Sequence, residues 1–194
     1  MAARLLTSVS SGQIAVLDAS VRIPAAPRDT LLRAAEIGLY RPHWTDHILS
    51  EVERNLVELG LAGAQAAHHL IATINRFFPE ARVSGYEPLI EHMENHPKDR
   101  HVLAAAVQAR ASLIVTEDRR GFPASVLHRW AIDALTIDAF LSELFAVSPS
   151  RMAQLIVEQA ADLVEPSMSA NDVLDELAVV APTFVAEIAK HLRH

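Results

Sequence analysis

Residues 112–118 read SLIVTED, and this stretch decides which fold the chain is expected to adopt. Its first five residues include β-branched side chains and predict a buried strand. A second short apolar run, IAVL at residues 14–17, predicts another strand. Asp18 directly follows this run, and Asp118 lies two residues beyond Thr116. Because the carboxyl ends of parallel strands form one edge of a sheet, where ligands bind, both carboxylates are expected at that edge.

Strand-like and helix-like segments alternate along the chain as far as residue 147. Further short strands are predicted at residues 40–43, 81–83 and 132–136. Helices are predicted at residues 27–36, 48–59, 62–78, 86–93 and 123–129, from residue 97 onward, and at 138–147. Thr45 is expected to cap one of these helices and Gly60 to end it. This alternation predicts an α/β fold of three layers, α/β/α, with a central, mainly parallel sheet.

The chain divides into three predicted parts. Residues 1–12 look like a leader, residues 13–147 form the α/β domain, and residues 148–194 form a helical C-terminal extension. Three helical segments are predicted in the extension, punctuated by Pro149, Pro166 and Pro182. Its apolar stripes are expected to pack on the sheet domain or on another subunit.

The amino-acid composition limits the classes of protein to which the chain can belong. With 51% apolar and 21% charged residues, the chain of 194 residues is expected to be globular, with one core and an appendage. The absence of cysteine excludes disulfides, thiolate metal sites and a cysteine nucleophile, and it fits a reducing compartment. No secretory signal or membrane-spanning run is recognisable, so a cytoplasmic protein without membrane association is expected. The net charge of −7 disfavours a basic nucleic-acid surface, unless bound cations cancel part of it.

Four acidic residues are each expected near the same edge of the predicted sheet: Asp18, Glu51, Asp99 and Asp118. Glu51 lies at the border of the buried stripe of its helix, and Asp99 opens the helix predicted from residue 97, on its inward face. Grouped like charges repel one another unless a cation neutralises them. Mg²⁺ or Mn²⁺ prefers such oxygen ligands and can promote attack of water on a phosphodiester. The cluster therefore predicts a metal-dependent phosphodiester hydrolase.

Each acid also has a simpler interpretation. Asp18 can hydrogen-bond the turn after its strand, and Asp118 can cap a helix or form an Asx turn. Asp99 can favour the positive end of its helix dipole, and Glu51 can be a solvated surface charge. These alternatives stay open for each residue taken singly.

Supporting residues are predicted around the acids. The Thr116 hydroxyl can orient an acid, although a β-branched residue also suits a strand. Asn55 can bind a phosphate oxygen or hydrogen-bond Glu51. Arg119 and Arg120 can grip RNA phosphates, or they can belong to a solvated turn.

Ten histidines raise the question of a zinc site. His43 and His47 have i,i+4 spacing, but the chain has no cysteine and no H-E-x-x-H pattern. His101, two residues from Asp99, is expected to point elsewhere and to lie in the core or on the surface. A histidine metal site is therefore not predicted.

The segments VLDAS, SEVERNL, PKDRHVLAAA and IVTEDRRGFP occur in an order that resembles the PIN-domain nucleases, in particular the VapC-type toxins of bacterial toxin–antitoxin pairs. The resemblance covers residues 14–147, and the tail resembles the helical extension of a longer PIN subgroup. It implies an endoribonuclease dependent on Mg²⁺ or Mn²⁺ that leaves 5′-phosphate and 3′-hydroxyl ends. By residue, it implies metal ligands, and thus catalytic residues, at Asp18, Glu51, Asp99 and Asp118, supported by Thr116.

The same resemblance implies partners. A cognate antitoxin would cover the acidic cleft of a homodimer, and structured RNA such as tRNA or rRNA would be the target. The chain departs from the longer subgroup in carrying Asp118 where many members have Asn, and Gly121 where they have an acid. Ser20 stands where a supporting amide is usual.

Two other functions remain open. The first is a non-catalytic receiver-like module with Asp18 as phosphoacceptor, although the first strand lacks the paired acids that a receiver normally carries. The second is an RNA-binding relative of the PIN nucleases that has lost cleavage.

Overall fold

The computed structural model describes residues 12–22, 24–164 and 167–192, and it contains a four-stranded parallel sheet in the order β2-β1-β3-β4. The predicted leader, apart from Gly12, and Pro166 lie outside the described residues. The strands are β1 (Ile14–Leu17), β2 (Arg41–His43), β3 (Leu113–Val115) and β4 (Asp133–Leu135). The described helices are α1 (Ala25–Glu36), α2 (Asp46–Glu58), α3 (Ala64–Phe77), α4 (Arg100–Gln108), α5 (Ala124–Leu127), α6 (Ile137–Val147), α7 (Pro149–Asp162), α8 (Ala170–Ala178) and α9 (Pro182–His191). The predicted α/β architecture with a parallel central sheet is confirmed.

The two central strands, β1 and β3, are apolar along their whole length because both of their faces are covered. Val16, Leu17, Ile114 and Val115 are all fully buried. The strands pair in register, with Val16 opposite Ile114. This uninterrupted apolar pattern is typical of strands in a parallel sheet with helices on both sides.

Backbone pairing continues one residue beyond the two central strands. The Asp18 N–H donates to the carbonyl oxygen of Val115 at 3.0 Å, and the Thr116 N–H donates to that of Leu135 at 2.9 Å. The main chain of Asp18 and Thr116 is thereby fixed at the carboxyl edge of the sheet.

Helix α2 begins and ends as its sequence predicts. The Thr45 hydroxyl accepts a hydrogen bond from the Ile48 N–H at 3.1 Å and so caps the first turn. Gly60 follows the helix with a φ of +67°, which a glycine adopts without strain. Val52 and Leu56 belong to the buried stripe that packs α2 on the core.

Three predicted elements differ in the structure. The strand predicted at residues 81–83 is reduced to one bridge between Trp44 and Arg82, because Pro79 starts a 3₁₀ turn that occupies Pro79–Ala81. The helix predicted at residues 86–93 is a 3₁₀ helix, Glu87–His92. A 3₁₀ turn also precedes α4, so Asp99 lies immediately before that helix and not inside it.

The C-terminal helices pack on the sheet domain of the same chain. Helix α7 contacts α1 and α6, and α9 contacts α6. Most of the predicted stripe on α7 is buried, but Leu163 is 39% exposed because the helix ends at Asp162. Within the described ranges, no helix has both the length and the apolar character needed to cross a membrane.

A buried polar contact joins α1 to α7. The Thr30 hydroxyl lies 2.8 Å from the Gln159 side-chain oxygen and 2.9 Å from the Ala26 carbonyl, which also accepts from the Gln159 amide. Thr30 and Gln159 are 0% and 1% exposed. A buried amide left without its partner costs about 1–3 kcal/mol, so this contact makes the α1–α7 interface specific.

Thr30→Val is therefore expected to lower the free energy of unfolding by about 1–3 kcal/mol, because the isosteric valine leaves the buried Gln159 oxygen without its donor. Urea unfolding of the full chain measures the effect. Adding Gln159→Leu to Thr30→Val should recover part of the loss, since both polar partners are then gone. Ser50→Ala, which removes an exposed hydroxyl on α2, is the control and should change little. Equal stability of Thr30→Val and the unchanged chain would contradict this account of the interface.

Candidate active site

Asp18 lies just beyond β1, where the protein's own groups hold its carboxylate in one orientation. The Ala19 N–H donates to Oδ1 at 2.7 Å. The Ser20 and Thr116 hydroxyls are 2.7 and 2.8 Å from Oδ2. Asp18 is 8% exposed, so the carboxylate faces the site through a narrow opening. These contacts place both predicted supporting hydroxyls directly on Asp18.

Thr116 connects the ends of the two central strands. Its hydroxyl, fully buried, donates to Asp18 and accepts from the Asp118 N–H at 3.1 Å. The Ser20 hydroxyl in turn accepts from the Glu117 N–H at 3.1 Å. The turn that carries Asp118 is therefore tied to the turn that carries Asp18.

Asp99 packs against Gly121. A Cβ atom placed on Gly121 would lie 2.2 Å from Asp99 Oδ2 and 2.8 Å from its Cγ. The Gly121 carbonyl accepts hydrogen bonds from the Asn95 side chain at 3.1 Å and from the His96 N–H at 3.3 Å. Gly121 is the position at which many members of the longer subgroup are expected to carry an acid. In this chain the absence of a side chain at Gly121 makes room for the Asp99 carboxylate.

Glu51 projects from α2 and is flanked by two histidines. Its carboxylate oxygens lie 3.9 Å from His47 Nε2 and 3.6 Å from His101 Nε2. The two imidazole rings are stacked, with centroids 3.9 Å apart and an angle of 20° between their planes. The expectation that His101 points away from the acids is wrong, because α4 places its buried ring beside Glu51. Two signals in the sequence were available: the i,i+4 spacing of His47 and Glu51, and a histidine inside the apolar run of α4.

Electrostatic coupling links the four carboxylates. Burial raises the pKa of Glu51, and the charges of Asp18 and Asp99 raise it further, against the opposing effect of His47. Burial likewise raises the pKa of Asp99, with additional repulsion from Asp18 and Asp118. Burial and the neighbouring His47 lower the pKa of His101 to about 4, so its ring is neutral at neutral pH. Each acid therefore senses the charge of at least one other.

The carboxylates share a region but are not tightly packed. Among the described residues, the one set of three acidic or histidine side chains with ligand atoms all within 4.8 Å of one another is His47, Glu51 and His101. No three of the four carboxylates therefore place ligand atoms within that distance of one another. A Mg²⁺ ion keeps several of its waters, so carboxylates at this spacing can hold it partly through water. The donor set consists of carboxylate oxygens, and the pKa values of Glu51 and Asp99 are raised, which fits a hard divalent cation.

The remaining predicted residues surround this region. Asn55 is half-buried on α2, one turn beyond Glu51. Arg119 and Arg120 are exposed in the turn after Asp118, whose Oδ1 accepts from the Arg120 N–H at 3.2 Å. Both arginines line a cleft of about 650 Å³ that also includes Asp133 and Thr136, and a hollow of about 580 Å³ that includes Ser20 and Asp118. The two arginine side chains can therefore contact a ligand in the cleft or in the hollow.

The raised pKa values predict how the metal-free protein responds to pH. A carboxyl group whose pKa is higher in the folded state binds protons more readily when the chain is folded. Its contribution to stability is fully present below the ordinary pKa, which is 4.5 for Glu51 and 3.8 for Asp99. That contribution is lost as the pH rises through the raised pKa. Glu51→Gln and Asp99→Asn are therefore expected to be more stable than the unchanged chain near pH 7 in EDTA.

Thermal unfolding in EDTA at about pH 7 and about pH 5 measures this difference, which should shrink at the lower pH. Glu58→Gln, an exposed glutamate at the end of α2, is the control and should show no such gain. A loss of stability in both site variants at neutral pH would contradict the mutual repulsion.

Comparison with known proteins gives two family matches. The model described as PIN domain matches residues 15–120, and that described as VapC50 C-terminal domain matches residues 137–190. The chain is also similar to the "Putative ribonuclease VapC50" of Mycobacterium tuberculosis (strain ATCC 25618 / H37Rv), with 38% identity over 103 residues. That alignment covers 53% of this chain and 61% of the relative, so the chain spans about three fifths of the length of the curated relative it matches. No solved structure matches the chain.

Proposed function

We propose that this chain, which belongs to the PIN-domain family, is an endoribonuclease whose carboxylates Asp18, Glu51, Asp99 and Asp118 hold Mg²⁺ or Mn²⁺. One observation supports this function most directly: in four acids from four separate segments, the charges of Asp18 and Asp99 raise the pKa of Glu51, and those of Asp18 and Asp118 raise the pKa of Asp99. Burying repelling charges in a structural site would be unfavourable without a cation. The spacing of these acids along the chain argues against a purely local role for each.

The bound ion would lower the pKa of a coordinated water and stabilise the charge that develops on the phosphate. The protein's own groups have defined tasks. Thr116 and Ser20 fix the Asp18 carboxylate, so that its free lone pairs face the site. Gly121 leaves the space in which Asp99 sits. Arg119, Arg120 and Asn55 would bind phosphate oxygens of the RNA.

The biological role we propose is that of a toxin in a toxin–antitoxin pair. Similarity to a protein named as a ribonuclease and the match to the VapC50 C-terminal domain both support this role. A cognate antitoxin would neutralise the chain, a homodimer would be the active assembly, and cleavage of tRNA or rRNA in the cytoplasm would stop translation and growth. The acidic cleft would attract a basic segment of the antitoxin.

Cleavage of purified tRNA and rRNA by the full chain tests this function. We expect cleavage in Mg²⁺ or Mn²⁺, its loss in excess EDTA, and products that carry 5′-phosphate and 3′-hydroxyl ends. Sequencing of the product ends distinguishes specific cleavage from general degradation. Undiminished cleavage in EDTA would exclude the metal-dependent mechanism, and RNA binding without cleavage under any divalent ion would favour the non-catalytic alternative.

A further inference from the structure

Two histidines and one glutamate form a compact group on the α2–α4 side of the site. His47 and Glu51 are one turn apart on α2, and His101 enters from the first turn of α4. One potential ligand atom of each lies within 4.8 Å of the other two. The spacing of His47 and Glu51 turns their side chains to the same side of the helix, towards the His101 ring.

The distances inside this group, which we name the His–Glu cluster, are too long for hydrogen bonds. His101 Nε2 and His47 Nε2 are 3.6 and 3.9 Å from the Glu51 oxygens, whereas N–H···O bonds cluster near 2.9–3.0 Å. Ligand atoms arranged tetrahedrally around one ion at 2.0–2.2 Å are separated by roughly 3.3–3.6 Å. All three ligand atoms lie within 4.8 Å of one another, so a rotation of the exposed His47 side chain together with a small closing movement would bring them to such positions.

The buried ring of His101 supplies a second, independent observation. His101 is 6% exposed, and its Nδ1 has no hydrogen-bond partner among the described residues. A buried polar atom without a partner is unusual and calls for a structural or functional reason. The His47 ring stacks on this imidazole, so the exposed His47 side chain must rotate before both rings can direct a lone pair at one ion. Nε2 is the His101 nitrogen that faces Glu51, and it keeps a lone pair for coordination when the proton of the neutral ring is on Nδ1.

The ligand chemistry of the His–Glu cluster differs from that of the remaining acids. Mg²⁺ binds oxygen ligands, whereas Zn²⁺, Co²⁺ and Ni²⁺ accept imidazole nitrogen readily. Three protein ligands with an open fourth position is a common arrangement for zinc. Asp18 and Asp99 act on Glu51 as neighbouring negative charges, and Arg54 acts on it as a positive charge.

We propose that His47, Glu51 and His101 form a second metal site, selective for a nitrogen-binding first-row divalent ion such as Zn²⁺, next to the oxygen-only site formed by Asp18, Asp99 and Asp118. Glu51 lies on the border and contributes to both sites. Occupation of the second site would position Glu51 and reduce its repulsion of Asp18 and Asp99. This site does not require that the chain cleave RNA.

Binding of Zn²⁺ in the presence of excess Mg²⁺ tests the second site. The full chain, first freed of metal with EDTA, is expected to retain one Zn²⁺ in equilibrium dialysis when Mg²⁺ is in large excess. Co²⁺ should give visible absorption bands characteristic of nitrogen ligation at the same stoichiometry. His47→Gln and His101→Gln should each weaken Zn²⁺ binding by about 100-fold, which corresponds to about 2.7 kcal/mol.

His68→Gln is the matched control. His68 also lies beside a glutamate, with Nδ1 3.2 Å from Glu53 Oε1, but this exposed pair has no third ligand among the described residues. It should bind Zn²⁺ and Co²⁺ like the unchanged chain. Because the His47 side chain is 53% exposed, His47→Gln should fold even if the buried change at His101 does not.

Either of two results would overturn the second site: no Zn²⁺ retained in excess Mg²⁺, or unchanged Zn²⁺ affinity in His47→Gln. Failure of the nuclease function is distinguishable from both. A chain that cleaves RNA with Mg²⁺ but retains no Zn²⁺ refutes the second site alone, and a chain that binds Zn²⁺ through His47 without cleaving RNA refutes the nuclease alone.

Discussion

Replacing Asp18 by asparagine is expected to reduce RNA cleavage by at least about 100-fold, or about 2.7 kcal/mol of transition-state stabilisation. Asp18 is the acid whose orientation the protein fixes most completely, through Ala19, Ser20 and Thr116. The change removes a charge that a divalent ion needs, and it turns an amide nitrogen towards groups that donate hydrogen bonds. Asp99→Asn should have a similar effect on cleavage.

Asp18→Asn is expected to lose activity while keeping its fold. Removing the Asp18 charge relieves its repulsion of Glu51 and Asp99, so the metal-free variant should unfold at or near the temperature of the unchanged chain. RNA cleavage in Mg²⁺ and in Mn²⁺, combined with thermal unfolding, measures both effects. Asp175→Asn, at an exposed acid on α8, is the control and should cleave normally. Cleavage by Asp18→Asn at the unchanged rate would remove the basis of the proposed nuclease site.

Gly121→Ala is expected to have the second-largest effect, a fall in cleavage and in Mn²⁺ affinity of about 10–100-fold, of the size seen when the surroundings of a metal ligand are disturbed. The added Cβ would lie 2.2 Å from Asp99 Oδ2, which is far inside contact distance. The Asp99 side chain is 19% exposed and short, so it can rotate away at low cost. Stability should therefore change by less than about 1 kcal/mol while the carboxylate leaves its position.

Gly63→Ala is the matched control for this change. A Cβ on Gly63 would meet nothing within 4 Å, and its φ of −69° suits alanine. Isothermal titration with Mn²⁺ and RNA cleavage should both be unaffected in this variant. Full Mn²⁺ affinity in Gly121→Ala would show that Asp99 does not need its present position.

The fold was predictable because its main signals are local. The apolar runs that became β1 and β3, and the Thr45 cap of α2, depend on residues adjacent in sequence. The resemblance to the PIN family is confirmed by the family matches. The prediction of a strand at residues 81–83 was wrong, because pairing there depends on a distant partner, Trp44, and on the adjacent turn that begins at Pro79.

The surroundings of the acids were less predictable, since they depend on contacts between distant parts of the chain. Positions along strands and helices brought Asp18 and Asp118 to the expected edge. No pattern within one segment indicates that Asp99 packs on Gly121, or that His101 stacks on His47. The assignment of the four acids as metal ligands remains a prediction.

The boundary placed after residue 147 also remains a prediction. The match to the VapC50 C-terminal domain begins at residue 137, so it includes α6 together with α7, α8 and α9. Helix α6 contacts β4 as well as α7 and α9. Its Phe145 ring packs edge-on against Phe184 of α9, with centroids 6.2 Å apart.

The shared α6 helix and the buried Thr30–Gln159 contact have a consequence for how the two family segments can be separated. The two segments cannot be separated without exposing apolar side chains such as Tyr40 and Phe140, whose rings pack edge-on across the boundary with centroids 4.9 Å apart and are 1% and 0% exposed. Loss or exchange of the extension in evolution would therefore require simultaneous replacement of the apolar surface that it covers on the PIN-domain segment.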